Sequence, residues 1–286
     1  LVMILTILVG IYFYNNCCNL CNGTVADQAP AYEPPKTNAL KATSYPFGLS
    51  DGDFSYEVND NFNFNVSSPS FLLPLSDSVK EGVIEVKDHF ENNPDRALDI
   101  IGYYHGDEEN TSAYPNLGIA RANSVKNYFV SNGINSAQIN TSGKLVNEMV
   151  AQDSIYLGPV AYDVHVKDVE EDAELQALCA SIEQDPLVLY FNTGEAHINL
   201  TAEQRKKVAA ISRCLDKTAN ASCTVIGHTD NTGSRETNMQ LGLDRAGFIK
   251  NYLVRNGILE AKINTASKGS DDPIASNDAE AGRSKN

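Results

Sequence analysis

Apolar positions recur at three- and four-residue spacings over 77–92, which puts Val79, Val83, Val86 and Phe90 on one face of a helix. Over 160–166 the period falls to two: Val160, Tyr162, Val164 and Val166 alternate with other residues, as in a half-buried strand. Between these segments the pattern predicts a buried strand over 97–102, a helix over 113–132 closed by Gly133, and a strand over 139–142. Phe62, Phe64 and Val66 mark an earlier strand over 62–66. The same order then returns. A strand over 187–191 precedes a helix over 201–218 that opens on the capping box Thr201 and Gln204. A strand over 223–227, a helix over 234–256 closed by Gly257, and a strand over 262–266 follow. The acidic stretch 169–185 reads as a helical connector. Strands alternating with helices predict an α/β fold, a sheet covered by helices.

The recurrence is visible in the residues themselves. Leu117-Gly118-Ile119-Ala120-Arg121-Ala122 matches Leu241-Gly242-Leu243-Asp244-Arg245-Ala246, Lys126-Asn127-Tyr128 matches Lys250-Asn251-Tyr252, and Asn132-Gly133-Ile134 matches Asn256-Gly257-Ile258. The two arginines lie 124 residues apart. This pattern predicts a domain present twice, over 51–168 and 187–286, with 169–186 between.

The remaining segments are of other kinds. Residues 1–14 are almost continuously apolar, fewer than the roughly 20 that span a bilayer. Tyr12, Phe13 and Tyr14 resemble an interfacial aromatic belt. Asn15-Asn16 ahead of Cys17 does not fit a lipoprotein cleavage box, whereas Thr24-Val25-Ala26 would suit a cleaved signal peptide. The expectation is an uncleaved transmembrane anchor over 1–16, continuing upstream. Pro30, Pro34, Pro35 and Pro46 then mark 17–50 as a linker. About 25 extended residues of it reach on the order of 80 Å.

Composition narrows the choices. The 286 residues, 42% hydrophobic and 21% charged, suffice for about two globular domains. A net charge of −15 argues against a nucleic-acid partner and against a polybasic grip on lipid. Of six cysteines, Cys17, Cys18 and Cys21 lack a second ligand pair for zinc, and membrane-proximal thiols or inter-chain disulfides suit them better. Cys214 and Cys223, nine residues apart, are expected to pair, the alternative being two buried thiols. His89, His105, His165 and His197 show no metal spacing, so no metal or cofactor is expected. No nucleophile elbow, P-loop or dinucleotide fingerprint is present, so no catalytic residues are assigned and no enzyme is expected.

The most specific signal is Gly227-His228-Thr229-Asp230-Asn231-Thr232-Gly233-Ser234, followed by Asn238, then Arg245-Ala246 and later Gly282-Arg283. It closely resembles the OmpA C-terminal family over about 187–286. The resemblance implies two such α/β sandwiches, each a mixed sheet covered by helices, with a divergent first copy. It implies non-catalytic binding of peptidoglycan through the diaminopimelate of its stem peptide. Asp230 and Arg245 map to the residues that clamp that unit, Thr229 and Asn238 to supporting polar residues, and Arg283 to a second family arginine. The chemistry agrees: a zwitterionic end needs an anion for its ammonium and a guanidinium fork for its carboxylate. The plain alternatives are an Asp230 that only shapes its turn and an Arg245 in a solvated pair with Asp244 or Asp230. His228 reads as a structural hydrogen-bonder.

In the first copy Tyr104-His105 replaces Thr229-Asp230, Tyr114 replaces Asn238, and Arg121 remains; Asp107 is the candidate for the missing acid. That copy is expected not to bind the wall and to serve as a spacer or a docking surface for self or other envelope proteins. The whole then reads as a membrane-anchored tether to the cell wall of a Gram-negative bacterium. It would sit in the inner membrane, or associate with the outer, with its domains in the periplasm. The alternative is a stator-like part of an ion-driven envelope complex, for which 1–14 holds no intramembrane carboxylate.

Overall fold

The computed structural model describes residues 41–167, 169–190 and 199–286. The anchor expected over 1–16, most of the linker, and Cys17, Cys18 and Cys21 lie outside them. Among the described residues no helix is long and apolar enough to cross a membrane.

The last residues of the expected linker belong to the fold. Phe47–Asp51 forms strand β1, paired antiparallel with β2, Phe54–Val58. Phe47 is fully buried against Phe62, Phe129 and Tyr162. A large ring recruits its backbone into the fold whatever the composition around it. The two-residue β3, Phe64–Asn65, pairs with β6, Ile155–Tyr156. Helix α1, Asp77–Asn92, opens on Ser76, whose hydroxyl accepts from the Val79 N–H, and buries Val79, Val83, Val86 and Phe90. Strand β4, Arg96–Tyr104, is central in a three-stranded mixed sheet. It runs parallel to β5, Ile139–Leu145, and antiparallel to β7, Val160–Val166. Helix α2, Leu117–Ser131, packs on β4 and β5.

The connector is helix α3, Val169–Gln184. Over 173–184 it buries no residue fully, and its half-buried Leu175, Leu178, Cys179 and Ile182 form one stripe facing α4. Residues 187–190 form no strand, a correction to the expected strand over 187–191, whose last residue is undescribed. Leu187 and Leu189 pack on the second core from chain without regular secondary structure. Helix α4, Ala202–Lys217, carries the capping box: Gln204 N–H donates to the Thr201 hydroxyl at 3.2 Å and Thr201 N–H to the Gln204 side chain at 2.9 Å. Strand β8, Cys223–His228, pairs parallel with β9, Ile263–Gly269, and α5, Arg235–Arg255, packs on both. A short helix, α6, spans Glu280–Arg283.

Residues 41–167 and 199–286 share local geometry. Leu98 faces Ile139 across β4 and β5, and Cys223 faces Ile263 across β8 and β9, from which point both pairings run in step to Gly102 and Gly227. A Cβ placed on Gly102 would overlap the Gly118 carbonyl; one on Gly227 would overlap the Gly242 carbonyl. Each helix therefore touches its strand backbone to backbone, which only glycine permits. Both helices end on a glycine with positive φ, Gly133 at +102° and Gly257 at +91°. In each, the isoleucine that follows donates its N–H back into the last turn.

Two cores result. One holds Phe47, Phe62, Phe64, Leu98, Ile100, Phe129 and their neighbours; the other holds Leu200, Val208, Leu215, Ile249, Leu253 and Ile263. Ala113 of the first half packs in the second core. Polar contacts join the halves as well: Tyr114 with Ser212 at 3.2 Å, Ala113 N–H to the Asn256 side chain at 2.8 Å, and the buried ion pair Lys126–Asp216.

Candidate functional site

Strand β8 delivers its last residue, His228, to the sheet end, and the chain turns through 229–234 before α5. Ser234 caps α5, its hydroxyl accepting the Thr237 N–H at 3.2 Å. Because Gly242 lies against Gly227, the next helical turn carries Arg245 beside the end of β8. There its Nη1 donates to the His228 carbonyl at 2.6 Å and to the Asn286 carbonyl at 2.9 Å.

The loop is held from below. Thr229 and Asn238 are 2% and 3% exposed, so their polar atoms must find partners inside. The Thr229 hydroxyl and the Asn238 amide both donate to the Asp230 carbonyl, at 2.9 and 3.2 Å, and Thr229 N–H donates to Gly269. The Asp230 carboxylate accepts the Thr232 N–H at 2.8 Å, so the turn-shaping role is present. Among the described residues its other oxygen has no hydrogen-bond partner. Among the described residues Asp230 and Arg245 form no ion pair, with each other or with any other group. Asp244 instead takes a hydrogen bond from Gln240. The structure thus brings Thr229, Asp230, Asn238 and Arg245 around one short backbone segment and leaves the anion and the cation both half-buried and uncompensated.

Arg283 is not brought to this group. Its guanidinium pairs with Glu280 at 2.7 Å and donates to the Asn277 carbonyl, within its own segment. It connects to Arg245 only indirectly, through Asn277 and Asn286. The His228 ring donates from Nδ1 to the Asp272 carbonyl at 2.8 Å, a structural role.

The expected Cys214–Cys223 disulfide is absent. Cys214 pairs with Cys179, with Cα atoms 5.7 Å apart, and Cys223 is free. Cys214 faces the connector helix, whereas Cys223 opens β8 against the second core, where burial raises its pKa. Proximity in sequence gave the wrong partner because the two side chains leave their elements on different sides.

In the first half the residues standing at the corresponding positions do other work. Tyr114 is buried between the halves, the His105 ring contacts the Asn147 carbonyl, and the Asp107 side chain is exposed. The acid that meets Arg121 is Glu108. The motif did not point to it; the acid expected there was Asp107. The histidines expected to have no metal spacing include one that the fold brings near acids. Donor atoms of Asp99, Asp163 and His165 lie within 4.8 Å of one another on the β4–β7 face. A cavity of about 430 Å³ lies between the halves, lined by Asn123, Lys126, Arg213 and Asp216 among others, and shares no residue with the Thr229–Arg245 group.

The mixed α/β fold thus carries an acid on a βα loop and an arginine on the following helix, a place where binding groups often lie. Residues 190–286, about a third of the chain, match the OmpA family. The chain is 32% identical over 135 residues to outer membrane protein Omp38 of Acinetobacter baumannii, covering 46% of this chain and 37% of that protein. It is 36% identical over 115 residues to the peptidoglycan-binding protein ArfA of Mycobacterium bovis, covering 40% and 34%. The chain thus spans little more than a third of the length of these curated relatives. The crystal structure of the peptidoglycan-associated lipoprotein from Burkholderia pseudomallei aligns at 23% identity with a TM-score of 0.31, over 34% of this chain and 81% of that one.

Proposed function

We propose that this protein binds peptidoglycan without catalysis and tethers a membrane-anchored chain to the cell wall, and that the diaminopimelate unit of the stem peptide is its ligand. Arg245 takes the carboxylate of that unit through its free N–H groups, and Asp230 takes the ammonium through its unused oxygen. The observation that carries the reading is the pair itself. Both charges are fixed on the 228–230 backbone, both are half-buried, and neither has an ionic partner among the described residues. An uncompensated charge pair at this depth costs free energy unless a ligand of complementary charge completes it. The OmpA family match and the binding named for the ArfA relative support the same ligand class.

In this reading the first half is a divergent copy of the second that serves as spacer and dock, and 1–16 anchors the chain in an envelope membrane. Arg283 would reach the ligand only after leaving Glu280. Co-sedimentation with purified peptidoglycan tests the proposal. Each contact is a charge-assisted hydrogen bond worth roughly 1.5–3 kcal/mol. Asp230→Asn and Arg245→Ala should each therefore weaken binding about tenfold to a hundredfold while keeping domain stability within about 1 kcal/mol. Either variant sedimenting like the parent removes the site assignment.

A further inference from the structure

The two arginines of the repeated segment occupy the same place in their halves, and only one of them is already satisfied. Arg121 follows Gly118 by three residues as Arg245 follows Gly242, and each glycine is pressed against its own strand. Arg121 Nη1 donates to the Tyr103 carbonyl at 2.9 Å, one residue past Gly102; Arg245 Nη1 donates to the His228 carbonyl at 2.6 Å, one residue past Gly227. Beyond that shared contact the halves differ. Around Arg121, Nε donates to the Ser68 carbonyl at 3.1 Å, Nη2 also reaches the Asn65 carbonyl at 3.5 Å, and the outer edge of the guanidinium is taken by the carboxylate of Glu108. Nη1 donates to Oε2 at 3.0 Å and Nη2 donates to Oε1. The backbone N–H of Ser67 donates to Oε1 and that of His105 to Oε2, each at 2.8 Å. The guanidinium carbon lies 5.4 Å from the ring centres of both Phe64 and Tyr156. Arg121 and Glu108 side chains are 0% and 2% exposed.

Such an arrangement is a complete receptor for one carboxylate: a guanidinium fork, two backbone donors and aromatic walls. We propose that the first half contains a carboxylate-binding site held closed by Glu108, whose side chain stands where a ligand carboxylate would stand. This goes beyond the wall-binding reading and explains why the first half has its arginine but offers no open site. The closing acid lies on the chain between β4 and α2, so the receptor and its occupant are one molecule. The ligand class is a small carboxylate, and acetate is the probe.

The test uses the full chain with Glu108→Ala, which vacates the receptor and leaves Arg121 buried without its partner. Its melting temperature should fall, and acetate should raise it again in a saturable way, relative to chloride at equal ionic strength and pH. The parent should melt alike in both salts. Glu108→Gln, whose amide fills the same space, should gain nothing from acetate. If Glu108→Ala does not fold in chloride, refolding by dilution reads the same property: recovery in acetate alone supports the site. Recovery in neither salt or equally in both, an acetate response shared by the parent, or an equal response of Glu108→Gln overturns it. The result is independent of whether the second half binds the wall.

Discussion

Asn238 supports the candidate loop from below. Its amide is buried and donates to the Asp230 carbonyl, the atom that also receives the Thr229 hydroxyl. Two donors on one carbonyl fix the peptide plane on which the Asp230 side chain turns. Asn238→Ala removes one and leaves the other. The expected loss is about 1 kcal/mol of stability and a weakening of wall binding smaller than that of Asp230→Asn, read by thermal melting and sedimentation together. A weakening equal to that of Asp230→Asn would mean that Asn238 is itself a contact residue. At this scale Thr229, Asp230, Asn238 and Arg245 were legible only through the family resemblance that the Gly227–Ser234 motif carries, and the structure places them around one backbone segment. Glu108 was not legible. Its link to Arg121 spans 13 residues and depends on how the loop after β4 folds back to accept the Ser67 and His105 N–H groups.

Among the elements, periodicity was most informative where one face is buried. Helix α1 and strand β7 begin and end where their apolar spacing does, at Asp77–Asn92 and Val160–Val166. It misled where tertiary contacts decide. Phe47 drew Pro-rich chain into β1, and Leu187 and Leu189 found apolar neighbours without regular secondary structure. Over 173–184 the connector α3 is held by four half-buried residues and the Cys179–Cys214 bridge. The bridge closes a loop with a sequence separation of 35, for which the chain-entropy account gives about 4 kcal/mol. Cys214→Ser should cost up to that amount in thermal stability, whereas Cys223→Ser should cost less. Non-reducing peptide mapping should recover Cys179 joined to Cys214; Cys214 joined to Cys223 would contradict the pairing.

Across the molecule the halves are joined through groups that are expensive to bury singly. Lys126 is 2% exposed and Asp216 11%, and burial depresses the Lys126 pKa from its ordinary value even beside its partner. The matching Lys250 instead meets Glu260 near the surface, at 3.3 Å. Two lysines in matching sequence contexts thus have different partners, which the sequence pattern could not disclose. Removing one member of a buried pair costs about 3–5 kcal/mol, because the other charge is left uncompensated. Asp216→Ala should therefore destabilise the chain by about that amount, whereas Lys126→Met with Asp216→Leu should come within about 1–2 kcal/mol of the parent. Denaturant unfolding measures both; a mild Asp216→Ala would mean that the pair does little to hold the halves together.

The central claim is that one amino-acid end, with both its charges, is what the protein holds. Titration of the full chain with two stem peptides, one carrying diaminopimelate and one carrying lysine in its place, isolates that claim. The lysine peptide keeps the ammonium and lacks the carboxylate that Arg245 would take. Loss of one charge-assisted contact predicts affinity about tenfold to a hundredfold lower for the lysine peptide. Equal affinity for the two peptides, or no binding of the diaminopimelate peptide, would contradict the account.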